Sequence, residues 1–201
     1  MNRLTKTVAA AAIAAFGVAS MAQADVAEPG WEFTSIGSSL YTSNWDFGIN
    51  FSTKGTTDID ALGYYWDPAH PWSDTHQVAL YDSSGNLIAS ATVTAADPLI
   101  GHFRYATISD VTINGSYQID ATSSDGDYYI WNNGGFTVDP SITYIGDSFS
   151  NNTLPAFQNY LNNNTANGYF GPDFLIPEPA TLTLLGVGLV GLGLIRRRKA
   201  G

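Results

Sequence analysis

The sequence predicts an all-β body, an antiparallel β-sandwich of jelly-roll type, with a signal peptide before it and a single transmembrane helix after it. Of its 18 acidic residues 15 are aspartates, and aspartate favours turns where glutamate favours helices. The body shows short alternating segments separated by turn residues, without a long helical stripe. About eight short strands with turn signals between them are typical of a sandwich or jelly roll.

A β-hairpin is the clearest element of the body. Alternating residues 77–81 and 87–93 flank a turn at 82–86, in which Gly85 can take the left-handed conformation of a type I turn with a bulge. One or two helical turns are expected at 154–161. Further strands are expected at residues 47–51, 58–66, 103–108, 116–121, 128–131 and 142–145.

The N-terminus has the three parts of a secretory signal peptide. Arg3 and Lys6 precede an apolar run at 8–19, and Ala22 and Ala24 place small residues at the cleavage positions. Twelve apolar residues are too few to span a membrane. We therefore expect residues 1–24 to be a signal peptide that signal peptidase removes before Asp25.

The C-terminus combines a short apolar run with a basic end. Residues 180–195 carry no charge and would form a helix of about 24 Å, somewhat short of a hydrocarbon core of about 30 Å. The bases that follow include Arg196, Arg197 and Arg198. By the positive-inside rule they lie on the cytoplasmic side of the inner membrane, so the body faces outward.

A Pro-Glu-Pro triplet, Pro177, Glu178 and Pro179, stands directly before this run. Triplet, apolar helix and arginine cluster together resemble the PEP-CTERM sorting signal of Gram-negative bacteria, over residues 176–199. The resemblance implies that the tail anchors the exported protein in the inner membrane until an exosortase processes it near the triplet. The mature protein is then expected at the cell surface or outside the cell. The alternative is a plain C-terminal anchor.

Residues 47–132 carry a second resemblance, through an aromatic strand, the hairpin "HQVALYDSSGNLIASATV" and the strand "FRYATI". They resemble a β-sandwich domain of unknown function that recurs in exported bacterial proteins and brings no established activity or catalytic residues. We therefore divide the chain into the signal peptide, a sandwich domain at 25–150, an Asn-rich stalk at 151–175 and the sorting tail at 176–201.

The charge of the body restricts its partners. Between Asp25 and Ile176 there are 17 acids and only two bases, Lys54 and Arg104, a formal charge of −15. Such a surface repels nucleic acids and anionic lipids. Without cysteine, disulfides and thiolate metal sites are excluded. We expect a non-enzymatic envelope or extracellular-matrix protein with exopolysaccharide as its candidate ligand; the alternative is a secreted carbohydrate-active enzyme.

Candidate metal ligands occur in three places. His70, Asp74 and His76 in "HPWSDTH" suggest a zinc cluster or a charge relay, but Pro71 favours a loop without the fixed presentation that ligands need. The pairs Asp58 with Asp60 and Asp125 with Asp127 offer oxygen ligands that suit calcium. They match no EF-hand loop, and aspartates are common in turns for local reasons. We expect no cofactor, with calcium as the alternative.

Consecutive aromatic residues suggest a sugar-stacking surface. Tyr64, Tyr65 and Trp66 cannot all face one side of a strand, and Trp131 follows two further tyrosines. Tyr64, Trp66 and Trp131 are thus candidate ligand residues. The alternative, which we favour, is a strand buried on both faces.

The triplet provides a test of the sorting signal. Replacing Pro177, Glu178 and Pro179 by alanine leaves hydrophobicity nearly unchanged and lets the helix extend, so a plain anchor tolerates it. We expect this variant to stay full length in the inner membrane of a host that carries an exosortase, while the parent chain is shortened and released. Immunoblots of membrane and released fractions measure this, and equal processing of both forms contradicts a sorting signal.

Overall fold

The computed structural model of the protein describes residues 27–36, 38–41, 44–124, 126–131, 135–159 and 170–177. Within these ranges all regular secondary structure is β. Among the described residues no helix has the length and apolarity to cross a membrane. The predicted signal peptide and the helix predicted at 180–195 lie outside the described residues.

Fourteen strands build the described body, and every pairing between them is antiparallel. In chain order they are β1 (Glu28–Pro29), β2 (Trp31–Ser35), β3 (Ser38–Tyr41), β4 (Trp45–Thr53), β5 (Thr57–Tyr65), β6 (Thr75–Asp82), β7 (Leu87–Thr94), β8 (Leu99–Ile100), β9 (Phe103–Ile113), β10 (Ser116–Ser123), β11 (Tyr128–Trp131), β12 (Gly135–Val138), β13 (Ile142–Ser150) and β14 (Pro172–Ile176).

Two five-stranded sheets form the sandwich. The first has the order β1-β14-β5-β9-β8 and the second β13-β4-β10-β6-β7, while β11 pairs with β3 and β12 with β2. The predicted antiparallel β-sandwich is confirmed for the body. All six further strands predicted from the sequence are present, in β4, β5, β9, β10, β11 and β13.

Aromatic side chains fill the space between the sheets. Trp31 is fully buried, and its ring meets Phe174 of the first sheet and Phe51 of the second edge to face, at centroid distances of 5.1 and 6.0 Å. Its indole Nε1 also donates a hydrogen bond to the carbonyl of Pro172 at 3.1 Å. Trp31 thus contacts both layers and satisfies its own polar atom.

The predicted hairpin is confirmed in β6 and β7. Gly85 has φ of +83°, a conformation that glycine adopts without steric cost. Asp82 Oδ1 accepts hydrogen bonds from the backbone N–H groups of Ser84 and Asn86, at 2.8 and 2.9 Å. A bulge follows the turn, and Leu87 is 57% exposed, so the alternate positions of β7 that pack against the core begin only at Ala89.

The predicted stalk at 151–175 is corrected by the structure. Pro172–Ile176 forms β14, which lies between β1 and β5 inside the first sheet, so the domain runs to Ile176 and does not end at 150. The described part of the expected helix, 154–159, is irregular and has no helical turn, and its backbone N–H groups bond to side chains of the sheet. The asparagine-rich composition of the preceding residues predicted a stalk, although the short strand β14 follows them.

Two glycines form a matched test of packing. A Cβ on Gly63 would lie 2.5 Å from the buried Tyr105 ring and 3.0 Å from the Arg104 carbonyl, whereas a Cβ on Gly55 would meet nothing within 4 Å. We expect Gly63→Ala to lower the free energy of unfolding by about 1 to 3 kcal/mol. Gly55→Ala should change it by less than about 0.5 kcal/mol. Urea denaturation measures both, and equal midpoints contradict the described packing.

Candidate functional site

Three side chains that can ligate a metal meet at one end of the sandwich. Asp74 precedes β6, His76 lies within β6, and Asp127 lies between β10 and β11. One ligand atom from each residue lies within 4.8 Å of the other two. The group therefore joins segments about fifty residues apart in the sequence.

His76 occupies an inward position of β6 and is fully buried. Its Nδ1 lies 3.0 Å from the Thr122 carbonyl. Because a carbonyl only accepts, Nδ1 carries the hydrogen and Nε2 keeps its lone pair. Nε2 is buried without a hydrogen-bond partner, 3.7 Å from Asp74 Oδ1. Burial lowers the pKa of His76, which favours the neutral imidazole.

Aromatic rings fix the orientation of this imidazole. Tyr64 of β5 stacks on it with centroids 3.8 Å apart and an interplanar angle of 8°, and Trp72 meets it edge-on at 4.4 Å. The stack crosses from the first sheet to the second. The Tyr64 hydroxyl is buried without a hydrogen-bond partner. Burial, with the nearby charges of Asp127 and Asp74, raises the pKa of Tyr64.

Asp127 completes the group. Its Oδ2 accepts a hydrogen bond from the Ser124 backbone N–H and lies 3.6 Å from His76 Nδ1. Burial raises the pKa of Asp127 to about 6. The carboxylate has further lone pairs that this single bond does not use.

The group takes Asp74 and His76 from one candidate cluster of the sequence and Asp127 from another. His70 does not join Asp74 and His76: it pairs with Asp67 at 3.0 Å and stacks on Tyr128 at 3.8 Å. Asp127 lies beside Asp74 and His76 instead. The sequence predicts a pair of Asp127 with Asp125, and Asp125 lies outside the described residues.

The other aspartate pair lies within the strand that the sequence predicts at 58–66. Asp58 and Asp60 lie in strand β5 and not in a turn. Asp58 accepts a hydrogen bond from the Thr112 hydroxyl at 2.6 Å. Calcium sites usually combine carboxylates with backbone carbonyl groups of a loop. The strand that carries Asp58 and Asp60 does not supply such a loop.

The aromatic residues at 64–66 do not form an exposed row. Tyr64 and Tyr65 are buried, and Trp66 is half-buried with the Arg104 guanidinium 4.0 Å from its ring centroid. The side chain of Trp131 lies outside the described residues. The favoured alternative, a strand buried on both faces, describes β5.

A second group of acidic residues was not predicted from the sequence. Asp46 of β4 and Asp120 of β10 are fully buried on one face of the second sheet, under the segment that contains Gln158. Asp46 Oδ2 accepts from the Ala156 backbone N–H at 3.0 Å, and Asp120 Oδ1 accepts from Gln158 Nε2 at 3.2 Å. Burial raises the pKa of Asp46 to about 7 and that of Asp120 well above its usual value. The available signal was polar residues at alternate positions in one predicted strand, 116–121, and next to the other, 47–51.

An open groove of about 530 Å³ lies where β1, β8 and β12 approach one another. Glu32 is held at its wall, since its Oε1 lies 2.5 Å from His102 Nδ1 and its Oε2 accepts from the His102 backbone N–H at 3.1 Å. The lining residues are Ala27, Glu28, Pro29, Glu32, Ile100, Gly101, Thr137, Val138, Asp139 and Pro140.

Comparison with known families gives two matches. The model of DUF4082, a domain of unknown function, matches residues 21–171, well over half of the chain. The chain belongs to the DUF4082 family. The PEP-CTERM protein-sorting motif matches residues 175–199. Curated proteins yield no match to the chain.

The second match confirms the sorting signal recognised in the sequence, and it implies export and processing by an exosortase. Pro177 directly follows β14 of the DUF4082 domain. The other predicted sorting and cleavage residues lie outside the described residues: Glu178, Pro179, Arg196, Arg197, Arg198, Ala22 and Ala24.

The buried acids of the DUF4082 domain predict a pH dependence. The folded state keeps a proton on Asp46 up to about pH 7, whereas the unfolded state releases it near 3.8. The folded state therefore binds more protons in this window, and its stability falls as pH rises from about 4 to about 7. The loss from Asp46 is on the order of 4 kcal/mol.

Asp46→Asn removes this titration and should flatten the decline in the free energy of unfolding, measured by urea denaturation at pH 4, 5.5 and 7. The exposed Asp110→Asn serves as the control and should keep the parent slope. If the parent and Asp46→Asn curves run parallel, Asp46 does not titrate near neutrality.

Proposed function

We propose that the mature DUF4082 protein is a non-enzymatic component of the cell envelope or extracellular matrix that binds neutral exopolysaccharide. The observation that carries this proposal is the open groove beside β1, which presents carboxylates and apolar side chains together. The sorting motif supports it, because an exported protein meets such polymers outside the inner membrane.

The groove has the chemistry that a neutral sugar needs. Carboxylates of Glu28, Glu32 and Asp139 can accept hydrogen bonds from sugar hydroxyls. Pro29 and Val138 offer apolar surface for the carbon face of a sugar ring. The His102 bonds hold Glu32 in place, so less side-chain entropy is lost on binding.

The charge of the body selects the class of polymer. Only two bases oppose the acids of the body, and the groove itself carries three carboxylates. Like charges repel, so an anionic polysaccharide is disfavoured. A neutral polysaccharide does not experience this repulsion.

The carbohydrate-active alternative finds less support. A glycosidase places two carboxylates on either side of an accessible glycosidic bond. Asp46 and Asp120 have the raised pKa values of candidate acids, but both are fully buried beneath the segment at 155–158. Substrate access requires that segment to leave the sheet.

Blocking the groove tests the proposal. Thr137 is an exposed lining residue, and Thr137→Arg places a long side chain across the groove. We expect it to weaken retention of the full-length chain on immobilised neutral exopolysaccharide from the host by about tenfold, or 1.4 kcal/mol. The control Ser90→Arg changes an exposed position of β7 in the other sheet and should bind like the parent.

The same incubation distinguishes the two functions. Release of new reducing ends from the polysaccharide supports the carbohydrate-active enzyme and contradicts a binding protein. Equal retention of parent and Thr137→Arg chains excludes the groove as the binding surface.

A further inference from the structure

The end of the sandwich beside β6 contains polar atoms that the protein does not satisfy. His76 Nε2 and the Tyr64 hydroxyl are both buried without a hydrogen-bond partner. Buried polar atoms almost always have partners, so such atoms indicate an unseen water or ion. Here both belong to side chains whose rings stack on each other, and two carboxylates lie beside the imidazole, Asp74 3.7 Å from Nε2 and Asp127 3.6 Å from Nδ1.

The imidazole of His76 is already arranged as a metal ligand. A ligating histidine nearly always donates its other ring N–H to a carbonyl or carboxylate, which fixes the tautomer and the ring orientation. The Thr122 carbonyl does this at Nδ1. It is free to do so because the paired register of β10 with β6 stops at Ala121 and Val78. Nε2 therefore presents a lone pair.

That lone pair faces a second acceptor. Asp74 Oδ1 lies 3.7 Å from Nε2, which is too long for a hydrogen bond. In this tautomer neither atom carries a hydrogen, so the two cannot satisfy each other. A cation between them satisfies both. Asp127 has an oxygen within 4.8 Å of an oxygen of Asp74, and its Oδ2 lies 3.6 Å from the other ring nitrogen, Nδ1.

We propose that His76, Asp74 and Asp127 bind a divalent transition-metal ion of the zinc type, through imidazole Nε2 and one oxygen of each carboxylate. Asp74 side chain exposure is 43%, so it can rotate inward. Zinc bonds of 2.0 to 2.2 Å place tetrahedral ligand atoms about 3.4 Å apart. Rotation of Asp74 brings its oxygen from 3.7 Å to that distance from Nε2. A water molecule completes the fourth position.

The donor set selects the metal. Calcium and magnesium prefer shells made of oxygen alone, whereas imidazole suits zinc and its neighbours. With the same ligands, zinc binds more tightly than manganese. The ion joins the β10–β11 connection to the start of β6. This inference is independent of polysaccharide binding, whose groove lies at a different set of residues.

Metal titration of the full-length chain tests the site. The chain, purified in detergent and stripped with EDTA, is titrated with Zn²⁺ in competition with a chromophoric chelator. We expect one equivalent to bind, and the melting temperature to rise by about 5 to 10 °C at a hundredfold excess over Kd. Mn²⁺ should bind more weakly, and millimolar Ca²⁺ should leave the melting curve unchanged.

Two variants assign the binding to these residues. Asp74→Asn changes an exposed side chain, so the fold is retained, and it should weaken Zn²⁺ binding by about tenfold or more. His76→Gln should abolish it, with circular dichroism reporting whether that variant folds. Asp110→Asn removes the same charge at a distant exposed position and should bind like the parent.

The proposal is overturned if the parent chain does not bind Zn²⁺. It is also overturned if Asp74→Asn binds Zn²⁺ with the same affinity as the parent chain. A melting curve that responds to Ca²⁺ but not to Zn²⁺ also overturns it. If His76→Gln does not fold, the comparison of Asp74→Asn with Asp110→Asn decides alone.

Discussion

The pairing of β14 with β1 and β5 is the constraint on which the rest of the domain depends. Pro172–Ile176 returns from the C-terminal side of the domain to lie between a strand near its beginning and a strand from its middle. Trp31 reinforces the closure through its bond to the Pro172 carbonyl. Asp173 is buried within β14, and its Oδ2 accepts a hydrogen bond from the Tyr105 hydroxyl at 2.7 Å. Burial raises the pKa of Asp173 well above the usual value. The first sheet is therefore complete only when the last strand is in place.

Both candidate sites rest on this closure. Tyr64 pairs with Pro172 in the ladder between β5 and β14, and the ring of the same tyrosine stacks on His76. On the other side, β1 pairs with β14 and forms one wall of the groove. The strand that completes the sheet thus supports the histidine on one side and the groove on the other.

The closure also links the fold to sorting. Ile176 pairs with Glu28 at the end of β14, and Pro177 begins the triplet directly afterwards. The folded domain and the sorting signal are therefore contiguous in the chain, without the spacer that an asparagine-rich stalk would have supplied. Proline has no backbone N–H, so Pro177 adds no donor to the ladder, and β14 ends directly before the triplet.

The sequence by itself determined the features that depend on neighbouring residues. Turn chemistry around Gly85 and alternation along β6 and β7 predicted the hairpin, and a linear motif identified the sorting tail. The position of β14, the meeting of His76 with Asp127 and the burial of Asp46 were decided only by tertiary structure. Each depends on a partner far away in the chain, and an alternating pattern shows that a strand has two faces without showing which strand covers them. The composition around β14 suggested a stalk because a five-residue strand carries too little local signal, and its stability comes from the two strands beside it.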